Sequence, residues 1–317
     1  MIRYQTLWRS CAELSGSFDE GRTFPEIFIF RQEENMNRIL MSVTLVAALC
    51  MGGMAQAAEL SQGQVISKKV GNVVVHDYVS KTGGAAQIVE TDRLVVFDVP
   101  GNAPQNADFK TFADSLGKPV EAVVISHGHE HHWLGVDTLF PGVKVYSTQA
   151  SAINGEAGMK ALEKARSTMG KEMIPYTSVP AVESLADGKK NLGGVEYEFT
   201  TLPELGASII ALPAEKVVMT HHLGYVGVHV PMPPFDARLA ELKKLQNEGY
   251  TWMIGGHGVP AESNELIQKV AEYYGFVDKT VKEAGSPEEA VKAIAAQYPD
   301  YGLVPLLDAF VPMLMKK

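Results

Sequence analysis

Strand-like and helix-like segments come in two successive blocks along this chain. In each block, short runs rich in β-branched residues come first and helical segments follow, which favours two packed sheets covered by helices. The predicted strands are Val70–Val79, Ala85–Glu90, Leu94–Val99, Glu121–Ser126, Val143–Ser147, Val195–Leu202, Ser208–Leu212, Lys216–Thr220 and Thr251–Ile254. The predicted helices are Lys110–Leu116, Ala157–Met169, Asp236–Gly249, Ser263–Ala284 and Pro287–Gln297, with the apolar tail Leu303–Met315 as a last helix. We therefore expect one α+β domain, a β-sandwich with helices outside.

A segment near the N-terminus has the pattern of a secretory signal. Arg38 precedes the apolar run Ile39–Met54, and small residues suited to cleavage follow, ending at Ala57. The apolar run is too short and too rich in glycine and alanine for a membrane span. Leu49 stands before Cys50, where a lipoprotein signal has a small residue, so we expect no lipid anchor.

These patterns divide the chain into three parts. Residues 1–35 show no hydrophobic periodicity, and we expect them to be a non-native extension before a true start at Met36. Residues 36–57 are the predicted signal peptide, with cleavage near Ala57/Ala58, and residues 58–317 the working domain. The predicted location is the periplasm or the medium.

Charge and cysteine usage exclude several classes of protein. The chain has 28 Lys and Arg against 37 Asp and Glu, a net charge of −9, which argues against a nucleic-acid partner. The two cysteines, Cys11 and Cys50, lie outside the predicted domain and provide neither a disulfide framework nor a thiolate metal site. We expect a small molecule as the substrate; the sequence leaves the oligomeric state open.

The histidines point to the chemistry. Directly after the buried strand Glu121–Ser126, the segment Ser126–Gly135 reads SHGHEHHWLG, with four histidines within six positions. Imidazole is the commonest metal ligand near neutral pH, and a tight loop at a strand end lets several rings converge on one point. The segment therefore predicts a metal site.

This segment resembles the H-x-H-x-D-H signature of the metallo-β-lactamase superfamily. Two further stretches resemble that family's motifs: Gly255-Gly256-His257-Gly258 its late G-H-G, and Phe97-Asp98-Val99-Pro100-Gly101 its early D-T-G turn. The resemblance covers roughly residues 70–260. It implies a four-layer αββα sandwich and a metal-dependent hydrolase with one or two Zn²⁺ ions.

The ligand set departs from the family pattern at three positions. His131 replaces the motif aspartate, Glu204 in Leu202–Ser208 replaces a histidine, and His222 replaces an aspartate that bridges two metals in relatives. All three replacements are residue types that bind metals, which indicates a re-specified site. The resemblance implies a first site of His127, His129 and Glu204, with His222 as a possible fourth ligand, and a second site of His131, His132 and His257.

These assignments leave three functions open. The first is a secreted hydrolase of an ester, lactone, amide or phosphoester, with Glu204 as a carboxylate base and Tyr225 as an oxyanion donor. The second is a mononuclear non-haem Fe²⁺ dioxygenase of the same superfamily, which two histidines and one carboxylate permit. The third is a non-catalytic periplasmic protein that binds a metal or ligand.

Other polar residues have structural interpretations. We expect His76 to be a half-exposed strand histidine and His229 to pack within a loop. We expect His221 to alternate away from His222, and Asp98 to support the ligands rather than bind the metal directly.

Overall fold

The computed structural model describes residues 54–316. The predicted extension, residues 1–35, and the predicted signal peptide up to residue 53 lie outside the described residues. The predicted cleavage point lies within the first strand, Gln56–Glu59, in which Ala57 pairs with Ile66 and Ala58 with Val65. Among the described residues, no helix combines the length and apolar character that crossing a bilayer requires.

The first sheet contains eight strands whose spatial order follows the chain order. Its strands are β1 (Gln56–Glu59), β2 (Gly63–Val70), β3 (Val73–Ser80), β4 (Ala85–Glu90), β5 (Leu94–Phe97), β6 (Val120–Ile125), β7 (Lys144–Ser147) and β8 (Val182–Ser184). The strands from β1 to β5 pair antiparallel, and those from β5 to β8 pair parallel. Gly71, at φ 58°, supplies the left-handed turn that closes the β2–β3 hairpin, so the predicted single strand Val70–Val79 is wrong at its start.

The second sheet contains six strands in the order β14-β13-β12-β11-β10-β9. They are β9 (Gly188–Leu192), β10 (Val195–Leu202), β11 (Ala207–Leu212), β12 (Val217–His221), β13 (Trp252–Gly255) and β14 (Ala261–Glu262). Only the β12–β13 pair in this sheet is parallel. The carboxyl ends of β12 and β13 therefore meet at one edge, as do those of β5 and β6 in the first sheet.

Helices cover the outer face of each sheet. They are α1 (Ala103–Ser115), α2 (Val136–Leu139), α3 (Ala150–Ile153), α4 (Gly155–Met169), α5 (Phe235–Asn247), α6 (Ser263–Glu283), α7 (Pro287–Gln297) and α8 (Pro305–Met315). Side-chain caps fix two helix starts: Asn102 accepts the backbone N–H of Gln105 at 3.2 Å, and Ser286 that of Glu289 at 3.2 Å. The Asn102 cap, followed by Pro104, explains why α1 begins seven residues before the predicted Lys110.

Three apolar layers show how the elements pack. Alternate residues of the two sheets face each other between them, including Val75, Phe97, Phe199 and Ile254. The other face of the first sheet packs with residues such as Phe109 and Leu162 of α1 and α4. The other face of the second sheet packs against α5 to α8. This arrangement is the predicted four-layer αββα sandwich, and the fold prediction is confirmed.

Candidate metal centre

Seven of the nine histidines gather at the edge where strands of both sheets end. His127 to His132 follow β6, His221 ends β12, and His257 follows β13. Ring centroids are 4.3 Å apart for His127 and His222, 4.8 Å for His132 and His221, and 5.3 Å for His131 and His257. The rings therefore form one continuous cluster, which we call the histidine cluster; its members are His127, His129, His131, His132, His221, His222 and His257.

The first group of potential ligands contains His127, His221 and His222. One nitrogen from each ring lies within 4.8 Å of the others, and all three side chains are buried. Nδ1 of His222 lies 3.1 Å from the carbonyl oxygen of Gly206, which selects the tautomer with Nδ1–H and leaves the Nε2 lone pair free. The side-chain NH₂ of Gln149 donates to Nδ1 of His127 at 3.2 Å, which fixes the orientation of that ring.

The second group contains His131, His132 and His257, again with one nitrogen each within 4.8 Å. Nε2 of His132 and Nδ1 of His257 are buried and have no hydrogen-bond partner. Buried polar atoms of this kind are rare in folded proteins and call for a missing partner such as an ion.

Asp98 supports the second group through a contact with His132. Asp98 adopts a left-handed backbone conformation (φ 61°) directly after β5, which turns its carboxylate toward Ser126 and His132. Oδ1 accepts the backbone N–H of Ser126 at 2.7 Å, and Oδ2 accepts the Ser126 hydroxyl and lies 3.0 Å from Nδ1 of His132. Asp98, His132 and His221 also form a third set of close ligand atoms. The hydrogen bonds around Ser126 already engage that set, so Asp98 acts as a support for His132.

Two features of the backbone bring both His221 and His222 into the cluster. His221 has φ 41°, and the β12–β13 register shifts between Met219 and His221, so the side-chain alternation of the strand breaks there. The expectation that His221 points away from His222 is therefore wrong. A Cβ on Gly256 would lie 2.6 Å from Nδ1 of His221, so the glycine makes room for this ring.

Burial favours the neutral form of six cluster rings by lowering their pKa values. Desolvation lowers the pKa of His127 to about 4, with the neighbouring His129 lowering it further. Desolvation also moves the pKa values of five other rings below the usual value: His131, His132, His221, His222 and His257. Burial raises the pKa of Asp98 to about 7, against the hydrogen bonds from Ser126. Neutral imidazole is the form that binds metals.

Three predicted site residues lie outside both groups. Glu204 is exposed on the 3₁₀ turn Pro203–Leu205, where Leu205 provides the buried side chain, and the structure does not bring Glu204 together with the histidines. His129 is exposed, with its ring centroid 4.1 Å from that of His127. Tyr225 packs its ring 5.6 Å from that of His257, but its hydroxyl contacts the sulfur of Met232 at 3.8 Å.

The two remaining histidines have structural surroundings. His76 is buried between the Ser67 hydroxyl at 2.7 Å and the Glu90 carboxylate at 2.6 Å, so the expectation of half exposure is wrong. Lys118 lies 2.7 Å from the same carboxylate, which explains how a polar ring is accommodated in the helix-covered layer. His229 packs in its loop, as expected, with Nδ1 3.2 Å from the Tyr273 hydroxyl.

The residues present fit one or two divalent metal ions. Each group offers three neutral imidazoles, a donor set known for zinc with a fourth position open to water or substrate. The two unpartnered nitrogens belong to His132 and His257, which are members of the same group. In an exposed cluster water would satisfy such nitrogens, whereas these two atoms are buried.

No family model matches this chain, and no curated protein matches it. Solved structures do match. A metallo-β-lactamase family protein from Thermus thermophilus is 14% identical, with a TM-score of 0.51 over 76% of this chain and 87% of that one. A β-lactamase domain protein from Burkholderia ambifaria is 15% identical, with a TM-score of 0.50 over 82% of this chain and 86% of that one.

A third similar structure is the double mutant of the sec-alkyl sulfatase PisA1, 17% identical, with a TM-score of 0.50 over 79% of this chain and 49% of that one. At these identities the comparisons establish the architecture. This chain has the fold of the metallo-β-lactamase superfamily, and its histidine cluster lies at the strand ends of that fold. The resemblance is confirmed at the level of the fold.

Proposed function

We propose that this protein is a metal-dependent hydrolase that uses zinc. The observation that carries the proposal is the convergence of six neutral, mostly buried imidazoles into two groups of three, with unpartnered nitrogens in the second. His127, His221 and His222 hold one ion in this proposal, and His131, His132 and His257 hold the other. Bound zinc supplies an electrophile and an activated water whose pKa is about 7.

The chain's own residues orient these ligands and manage protons. Asp98 accepts Nδ1–H of His132, and the Gly206 carbonyl accepts Nδ1–H of His222, so each ring presents Nε2 to its group. No carboxylate of the described residues lies in the first group, so the exposed imidazole of His129 is the group placed to exchange protons with solvent there. Glu204 and Tyr225 take no step in this proposal.

The substrate class follows from the chemistry that such a centre supports. An ester, lactone, amide or phosphoester has an oxygen that a divalent ion polarises. The similarity to a protein named as a sec-alkyl sulfatase supports adding sulfate esters to this set. The proposed iron alternative required Glu204 beside two histidines, and no observation on the described residues favours it.

Metal analysis with activity tests the proposal. Protein purified without chelators is assayed for zinc and iron by mass spectrometry, then stripped, reloaded and assayed on a panel of these esters. We expect one to two equivalents of zinc, hydrolysis that disappears on stripping and returns with zinc, and loss in His132→Ala. Iron with oxygen consumption instead would favour the dioxygenase alternative. A tightly bound metal with no hydrolysis of any substrate would favour a binding protein.

We also propose that the protein is exported. The signal-like segment that ends at Ala57 supports this. N-terminal sequencing of periplasmic material is expected to begin at Ala58. Material that retains residues 36–57 would contradict the proposal.

A further inference from the structure

Arg238 is a buried cation that pairs with carbonyl oxygens only. Its side chain, on the first turns of α5, is 2% exposed. Among the described residues, it forms no ion pair with a carboxylate. A buried charge without a counter-ion is costly unless hydrogen bonds satisfy it, so its contacts need an explanation.

The guanidinium donates to three chain segments that meet at the first group. One nitrogen donates to the backbone carbonyl of His222. A second nitrogen donates to the carbonyl of Leu205 at 2.7 Å and to that of Pro233 at 3.2 Å. The planar fork of arginine satisfies three divergent carbonyls at once, which a lysine ammonium on a flexible stem does less well.

These contacts connect Arg238 to the backbone of His222 and to the segment that accepts a hydrogen bond from its ring. Arg238 binds the Leu205 carbonyl, and the neighbouring Gly206 carbonyl is the acceptor for Nδ1 of His222. Arg238 also binds the backbone of His222 itself. The main chain of His222 and the acceptor of its ring are thereby held at a fixed separation.

We propose that Arg238 is a positioning residue for the first metal group. It sets the tautomer and orientation of His222, and so directs the Nε2 lone pair toward His127 and His221. This inference rests on the metal-binding part of the proposed function. It also assigns a purpose to the buried charge, because the hydrogen bonds of Arg238 go to Leu205, His222 and Pro233 and not to the second group.

Two variants and one matched control separate positioning from general packing. Arg238→Lys keeps the charge but loses the fork, and Arg238→Met keeps the stem but loses the charge. Tyr274→Phe is the control, because its buried hydroxyl donates at 3.3 Å to the carbonyl of Leu223, the residue after His222, and not to His222 itself. Far-UV circular dichroism and thermal unfolding establish that each variant is folded.

The first measurement needs no metal. Imidazole ¹⁵N spectra of the stripped protein, assigned with His222→Gln, are expected to show Nδ1–H for His222 in the wild type and in Tyr274→Phe. In both Arg238 variants we expect a mixture of the two tautomers. A wild-type tautomer in both folded variants would overturn the proposal.

The second measurement is zinc affinity by chelator competition, with one group isolated at a time. In a His132→Ala background, which leaves the first group, we expect Arg238→Lys to weaken zinc binding by about 10- to 100-fold. In a His222→Ala background we expect no effect on the second group. Equal losses in both backgrounds, or the same loss with Tyr274→Phe, would overturn positioning in favour of a packing role.

The outcomes also distinguish this inference from the proposed function. A wild-type protein that binds no zinc would defeat the proposed function, while the tautomer measurement would still decide on Arg238. Should Arg238→Met fail to fold, Arg238→Lys decides alone, because it retains the charge and the aliphatic stem.

Discussion

Oδ2 of Asp98 lies 3.0 Å from Nδ1 of His132, and the opposite nitrogen of that ring, Nε2, is buried without a partner. The carboxylate thus fixes which nitrogen carries the proton and which one is available. The same arrangement, a carboxylate behind a histidine, is common behind metal ligands because it fixes the ring and increases its basicity.

Asp98→Asn is therefore expected to weaken zinc binding at the second group by about 10- to 100-fold. The amide still accepts a hydrogen bond, but it carries no charge and can present its NH₂ to the ring. Chelator competition in a His222→Ala background measures this group alone. Asp77→Asn is the control, because Asp77 is also a buried carboxyl but lies within β3 and accepts a hydrogen bond from Gln87. Equal zinc affinity in Asp98→Asn and wild type would contradict the role given to Asp98.

The metal-free protein should lose stability as the pH falls from about 6.5 toward 4. Burial lowers the pKa of His127 from 6.5 to about 4, so between these values the unfolded chain binds a proton that the folded protein does not. This contribution to the free energy of unfolding is fully present above pH 6.5 and is lost as the pH falls. For His127 alone it amounts to about 3 kcal/mol. Urea unfolding at several pH values measures it.

Other titratable groups also determine how the free energy of unfolding changes with pH. The five other cluster histidines with lowered pKa values act in the same direction as His127. Buried Asp98 and Asp77 have raised pKa values and act in the opposite direction, since the folded protein holds their protons and that stabilisation is lost as pH rises. Because six histidines act in one direction and two carboxyls in the other, we expect the histidines to set the sign of the change. A free energy of unfolding that is constant or rises between pH 6.5 and 4.5 would contradict the expectation.

Much of the fold was readable from local patterns. Periodicity placed β4, β10 and α7 at their observed bounds, because each combines a clear apolar repeat with turn or capping residues. Strands such as β9, Gly188–Leu192, were missed because GKKNL has no buried alternation and owes its conformation to pairing with β10.

The sequence predicts the site less completely than it predicts the fold. Sequence motifs identified six of the seven cluster histidines, but His221 was missed because strand alternation wrongly turned it away from His222. The only available signal was Gly256, whose missing side chain accommodates the His221 ring. Glu204 was aligned to a ligand position of the family, yet Pro203 and Gly206 shape a turn that buries Leu205 and exposes Glu204. Local backbone conformation decided both cases, and motif spacing does not encode it.

Glu204→Gln and His222→Ala should distinguish two ligand sets for the first group. The sequence predicts a set that contains Glu204, whereas the structure brings together His127, His221 and His222. Because Glu204 is exposed, we expect Glu204→Gln to retain the wild-type zinc content, whereas His222→Ala should lose the zinc of the first group. Mass spectrometry of dialysed protein measures both. Zinc loss in Glu204→Gln as large as in His222→Ala would return Glu204 to the ligand set.

Gly256→Ala should disturb the first group by a steric clash with the ring of His221. The added methyl would lie 2.6 Å from Nδ1 of His221, closer than atoms approach, so the ring must move. We expect a stability loss of about 1–3 kcal/mol and weaker zinc binding in a His132→Ala background. Gly275→Ala, in the interior of α6 with nothing near the new methyl, should instead gain about 0.4–1 kcal/mol. Denaturant unfolding compares the two, and equal effects would disprove the steric argument.

The absence of carboxylates from both three-histidine groups should set the metal preference. Imidazole donors suit zinc, copper and nickel, whereas magnesium and manganese prefer carboxylate oxygens. Stripped protein dialysed against an equimolar mixture of zinc, manganese and magnesium should therefore retain zinc almost alone. His222→Asp gives the first group an oxygen donor with a negative charge, so manganese retention should rise in that variant while the second group keeps its preference. Manganese bound by the wild type as readily as by His222→Asp would show that the donor type does not control the choice of metal.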